Sequence, residues 1–148
     1  MNNIPLYHIE FVRDATDTPI ICNNSDSCSE IFHRLFDKSI VEQMAIIHLS
    51  SKNQIIGVEK VGLGNTNHVY VSMAEVFRGA LLAGATSIII GHNHPSGDPT
   101  PSDPDWDFTE LVIEVATALN ILVRDHIVVS PGQSHSMRSN NKKNLWFK

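Results

Sequence analysis

"SIIIGHNHPSGDPTPSDPD", Ser87 to Asp105, starts as a continuous apolar run and ends among prolines, serines and aspartates. A short apolar run bounded by turn residues reads as a buried strand, although periodicity alone does not separate it from a helical segment. If the chain leaves the core there as a strand, His92 and His94 project from one face, because strand side chains repeat every two residues. Neutral imidazole is a good zinc ligand, and a catalytic zinc takes three protein ligands while keeping a fourth position for water. A carboxylate is the natural third, and Asp98, Asp103, Asp105 and Asp107 all follow. The spacing favours Asp105. Ser102 followed three residues later by Asp105 has the form of a helix-capping box, which places the carboxylate in the first turn of a rigid helix. Capping by itself explains both residues, and a single histidine is usually a core or surface residue. A pair of histidines on one strand face, entering a loop with Pro95, Pro99 and Pro101 to limit its freedom and Gly97 to permit a turn, favours a metal site.

Outward from this stretch, Tyr7, Ile9 and Phe11 alternate with His8 and Glu10, the period of a half-buried strand. In "SCSEIFHRLFDK", Ser27 and Glu30 form a candidate cap, with Ile31, Phe32, Leu35 and Phe36 along one helical face. "EQMAIIHLS" and "QIIGVEKVGL" read as strands joined by a hairpin at "SKN". "SMAEVFRGALLAGA" repeats the capping pattern at Ser72 and Glu75, with Val76, Phe77, Ala80 and Leu81 as its apolar face. A further helix, about 104–120, carries Phe108, Leu111, Val112, Val115 and Leu119 at helical spacing, and "ILVRDHIVVS" closes the set as a strand. The order strand, helix, strand, strand, helix, strand, helix, strand predicts a mixed α/β sheet with helices on its faces.

At 148 residues, 42% hydrophobic and 18% charged, the chain has the composition of one globular domain, with a core over about 40–135, an N-terminal strand and helix in 1–39 and a tail in 140–148. No apolar run approaches the roughly 20 residues of a membrane span, and "MNNIPLYHIEF" does not read as a secretory signal, so the expected location is cytoplasmic. Eleven Lys and Arg against sixteen Asp and Glu give a net charge of −5, which opposes binding to DNA. Lys142, Lys143 and Lys148 around Trp146 and Phe147 form the only basic cluster, expected to be a solvated tail with one aromatic anchor. Cys22 and Cys28 are too few for a disulfide framework and are expected as free thiols.

"HNHPSGDPTPSDPD" resembles the His-x-His-Pro, then Ser-x-x-Asp signature of the JAB1/MPN+/JAMM metalloprotease superfamily, and "HNHPSGDP" resembles its RadC branch. The similarity extends over about residues 40–135, through "AEVFRGALLAGA" and "RDHIVV". It implies a JAB1/MPN architecture, cytidine deaminase-like, with zinc on His92, His94 and Asp105. It also implies that Ser102 holds the activated water and supports the developing oxyanion, and that a glutamate on an earlier strand is the general acid and base. Glu42, which opens "EQMAIIHLS", matches that glutamate, with Glu59 in reserve. The implied activity is a zinc-dependent hydrolase acting on a polypeptide or isopeptide-linked substrate; the alternatives are a non-catalytic binding module and a DNA-repair accessory protein. Longer RadC-type proteins carry an additional helical, DNA-binding-like region before this domain, which is not expected within these 148 residues and makes a DNA-directed role a weaker implication of the resemblance. His126 reads as a strand histidine hydrogen-bonded beside the site, His48 and His68 as ordinary strand and loop histidines, and His135 as part of a turn.

Overall fold

Residues 20–63 and 71–146 are described by a computed structural model of the chain. The elements in chain order are α1 (Ser25–Leu35), β1 (Gln43–Leu49), β2 (Ile55–Leu63), α2 (Met73–Ala83), β3 (Ser87–Asn93), α3 (Asp103–Ala118), β4 (Leu122–Ser130), β5 (Gln133–Ser136) and α4 (Met137–Asn140). The strands make one sheet in the order β2-β1-β3-β4-β5. β3 and β4 run parallel; the other neighbours are antiparallel. The strand expected around residues 7–11, His68 and most of the loop "GLGNTNHVY" lie outside the described residues.

A parallel pair needs a long crossover, and α3 supplies it. The chain therefore leaves the C-terminal end of β3, turns through 94–102, and starts α3 beside that same end of the sheet. Every residue of β3 is buried, as expected for a strand covered on both faces. Ile88 and Ile90 pack with Val76, Phe77 and Val112 beneath α2 and α3. Ile89, Ile127 and Val129 pack with Phe32 of α1 and with Phe36, its C-cap, on the other face. The result is the expected mixed α/β sheet flanked by helices.

Local signals place most helix ends. Ser72 and Glu75 form the capping box of α2, and Gly84 closes that helix in the left-handed region at φ 65°. For α1 the cap is Asn24, whose side chain accepts from Ser27 N–H at 2.9 Å, and not Ser27. Leu81 is exposed instead of lying in the core, because α2 seats Val76, Phe77 and Ala80 against the sheet and turns position 81 outward. The inward face of α3 is also rotated from the expected one. Trp106, Thr109, Val112 and Ala116 are buried, whereas Leu111 and Leu119 are exposed. Trp106 fills the space against Val128 and Met137, and Thr109 finds buried polar partners, so an apolar count along the helix places Val112, Phe108 and Val115 against the core but misses the part of the face set by these two residues.

Three further expectations are corrected. Cys22 and Cys28 are paired as a disulfide, with Cα atoms 6.0 Å apart, and are not free thiols. His135 sits in β5, opposite Val128, and not in a turn. The C-terminal segment keeps the expected aromatic anchor, Trp146 Nε1–H donating to the Val123 carbonyl at 3.0 Å, but is docked rather than solvated: Leu145 is buried, and Lys142 and Lys143 pair with Asp103 and Asp107 of α3. Among the described residues, no helix is long and apolar enough to cross a membrane.

Candidate metal centre

His92 and His94 stand at the C-terminal end of β3, where α1 can approach because Gly91 has no side chain. A Cβ at Gly91 would lie 2.3 Å from the Phe32 ring. Asp105 comes from the first turn of α3. Its position is fixed by the capping box, in which Ser102 N–H donates to Asp105 Oδ2 at 2.7 Å and Asp105 N–H donates to Ser102 Oγ at 3.2 Å. The same carboxylate faces both imidazoles, with Oδ1 3.3 Å from His92 Nε2 and Oδ2 3.3 Å from His94 Nε2. The two Nε2 atoms are 3.0 Å apart. Capping and convergence on the histidines are thus roles of one residue. His92, His94 and Asp105 each offer a donor atom within 4.8 Å of the others, so the cluster can hold a metal ion.

Hydrogen-bond directions around the cluster favour a cation. His94 Nδ1 lies 2.8 Å from the Asp98 carbonyl, which can only accept, so Nδ1 carries the proton and Nε2 keeps its lone pair in the neutral ring. For His92 the direction is set through a buried chain. Thr109 Oγ1 donates its single proton to the Asp105 carbonyl at 2.6 Å, and so accepts from His126 Nδ1 at 2.6 Å. Neutral His126 then presents Nε2 as an acceptor to His92 Nδ1–H, 2.7 Å away. His92 Nε2 is left with a lone pair facing His94 Nε2 and the Asp105 carboxylate. Three electron-rich donors held together in this way need either a shared proton or a cation, and two imidazoles with a carboxylate are a zinc-type set.

Electrostatics agree. Burial alone would raise the Asp105 pKa, but the imidazole pair, which donates to the carboxylate whenever it takes up a proton, and the Ser102 N–H outweigh it and hold the carboxyl far below its ordinary range. Burial opposes charge on His94, yet hydrogen bonds to Asp105 and the Asp98 carbonyl, with the charges of Asp105 and Glu42, raise its pKa above the usual value. A proton on His94 is therefore the natural competitor of a metal ion. His126, with no exposed surface, is pushed well below the ordinary histidine pKa by burial. It stays neutral, as the chain of donors requires.

Glu42 lies directly before β1 and is partly buried. β1 and β3 pair with Met44 opposite His92, so Glu42 flanks the site end of the sheet, and its charge is felt at His94. Glu59 is placed elsewhere: it sits opposite Ile46, with its carboxylate 3.8 Å from His48 Nε2 under α2. Ser102 is exposed at the start of α3. The structure thus brings together His92, His94 and Asp105, sets Glu42 near them, and keeps Glu59 with His48. Thr109 escapes a reading by apolar periodicity; its signal is its position four residues after Asp105, where a helical hydroxyl can reach the Asp105 carbonyl.

Residues 22–143 match the RadC-like JAB domain family. The chain belongs to that family. A UPF0758 protein of Carboxydothermus hydrogenoformans is 44% identical over 98 residues, covering 66% of this chain and 43% of that protein. A UPF0758 protein of Gloeothece citriformis is 42% identical over 107 residues, covering 72% and 43% respectively. One from Finegoldia magna is 41% identical over 136 residues, covering 92% of this chain and 59% of its own length. This RadC-like domain thus spans about half the length of the curated relatives it matches. The metal-capable cluster and its supporting chain, contributed by β3, α3 and β4, all fall within the matched residues.

Proposed function

We propose that this RadC-like domain is a metal-dependent hydrolase, with zinc as its ion, acting on peptide or isopeptide bonds. The observation that carries the reading is the convergence of His92, His94 and Asp105, with their spare protons committed elsewhere and Glu42 beside them. When bound, the ion supplies Lewis acidity and brings the pKa of a water it holds toward about 7. The protein's side chains supply the rest. Glu42 takes the proton of the attacking water and returns it to the leaving nitrogen. The Ser102 hydroxyl, whose oxygen accepts from Asp105 N–H, keeps its own proton to donate to the developing oxyanion. Thr109 and His126 hold His92 in the tautomer that offers Nε2 to the ion.

Imidazole ligands favour zinc over magnesium, which prefers an all-oxygen shell. A substrate of polypeptide character fits the net charge of −5 better than DNA does. The test is turnover of an internally quenched library of peptides and lysine-linked isopeptides by zinc-loaded protein. Cleavage by the wild type, lost in Glu42→Gln while zinc is retained, supports the reading. No cleavage by fully loaded protein reduces the domain to a binding module, and loss in Glu59→Gln in place of Glu42→Gln moves the acid/base role to Glu59.

A further inference from the structure

The β1–β3 ladder runs as far as Met44 opposite His92. One step further Gln43 and Asn93 would face each other, and there the Asn93 side chain takes over from the backbone. Its Oδ1 accepts from Gln43 N–H at 2.6 Å, and its Nδ2 donates to the Val41 carbonyl at 3.0 Å. Those two peptide groups lie on either side of Glu42. Asn93 is only 5% exposed, so an amide end left without its partner there would have little water to replace it. Alternation along β3 directs His92 and His94 to one face and leaves Asn93 to serve the neighbouring chain.

We propose that Asn93 is a positioning residue for Glu42. Its amide clamps the main chain before and after Glu42, so the run His92-Asn93-His94 sets both ligand nitrogens and the place of the acid/base carboxylate relative to them. The function of the clamp rests on the assignment of Glu42 made above; its existence does not. Asparagine suits the task because it offers one acceptor and one donor at a fixed separation. Aspartate keeps the acceptor for Gln43 N–H but has no proton for the Val41 carbonyl, and alanine has neither.

The test uses the full zinc-loaded chain and follows amide hydrogen exchange residue by residue. In Asn93→Ala, exchange at Gln43 N–H accelerates about tenfold or more, while Ile46 and Ile90 in the middle of the ladder are unchanged and zinc content stays at the wild-type level. On the quenched probe that the wild type cleaves fastest, kcat falls roughly tenfold to a hundredfold with KM unchanged, the scale of loss expected from a misplaced catalytic group. Asn93→Asp, which retains the Gln43 partner, keeps that amide protected but still lowers kcat. In a Glu42→Gln background, Asn93→Ala causes no further loss. Unchanged Gln43 exchange in Asn93→Ala, or an equal fold-loss of kcat with and without Glu42, overturns the proposal. If Glu42→Gln keeps the full wild-type rate, the acid/base assignment fails, and the exchange measurement still decides whether the clamp exists.

Discussion

His126 Nε2 lies 2.7 Å from His92 Nδ1, so a histidine with no exposed surface sets how a candidate metal ligand presents its other nitrogen. The chain continues through Thr109 to the main-chain carbonyl of Asp105. One candidate ligand residue thereby fixes the tautomer of another through two side chains that touch no solvent.

Thr109→Val tests this chain with little change in shape. It removes the proton given to the Asp105 carbonyl and the acceptor for His126 Nδ1. Because the partners of metal-binding histidines govern affinity, zinc binding should weaken by about 10- to 100-fold. An unpartnered buried His126 nitrogen should also cost about 1–3 kcal/mol of stability. Competition with a chelator of known affinity measures the first effect and urea unfolding of metal-free protein the second. Wild-type affinity in Thr109→Val would show that the chain does not orient His92.

Gly91→Ala should destabilise the domain by about 1–3 kcal/mol, the usual scale of overpacking. The added Cβ would fall 2.3 Å from the ring of Phe32, and α1 cannot withdraw without opening the core it forms with Ile89 and Ile127. In a Phe32→Leu background the same substitution should be better tolerated than in the wild type, as measured by denaturant midpoints. Equal destabilisation in both backgrounds would mean that the Phe32 contact is not the cause.

His48 predicts a pH dependence of stability. It is buried in β1, its Nε2 has no hydrogen-bond partner among the described residues, and burial lowers its pKa. With the folded pKa below the unfolded value of 6.5, the unfolded chain binds more protons as pH falls through that region. Stability contributed by neutral His48 is present above pH 6.5 and is lost progressively below it. His126, depressed in the same direction, acts with the same sign. From pH 7 toward pH 5 the thermal midpoint of the wild type should lose more than that of His48→Gln, while His94, whose pKa is raised, contributes with the opposite sign in both proteins. An unchanged slope in the variant would exclude His48 as a contributor.

How much of this was legible in the sequence depends on whether a signal is local. The capping boxes at Ser72 and Ser102, the buried run Ser87–Asn93 and the His-x-His step each lie within a few residues, and each is found where the pattern places it. Features settled by packing were less legible. The inward face of α3 is decided by Trp106 and Thr109, which gain partners on β4 and α4 that no count along the helix can see. Leu81 and Leu111 counted as core by hydrophobicity and are exposed by geometry. The short strand β5 and the docking of Leu145 and Trp146 depend on β4 already being in place. Within the site the ligand candidates could be named in advance, but the buried support of His92 and the clamp around Glu42 appear only when β1, β3, β4 and α3 are brought together.

Metal content tests the central claim most directly. Protein purified without chelator and analysed by elemental mass spectrometry should hold about one zinc per chain. His94→Ala and Asp105→Ala should each fall to background while keeping the wild-type fold by circular dichroism. Absence of a stoichiometric metal from the wild type, or an undiminished content in both variants, would contradict a metal centre built from His92, His94 and Asp105.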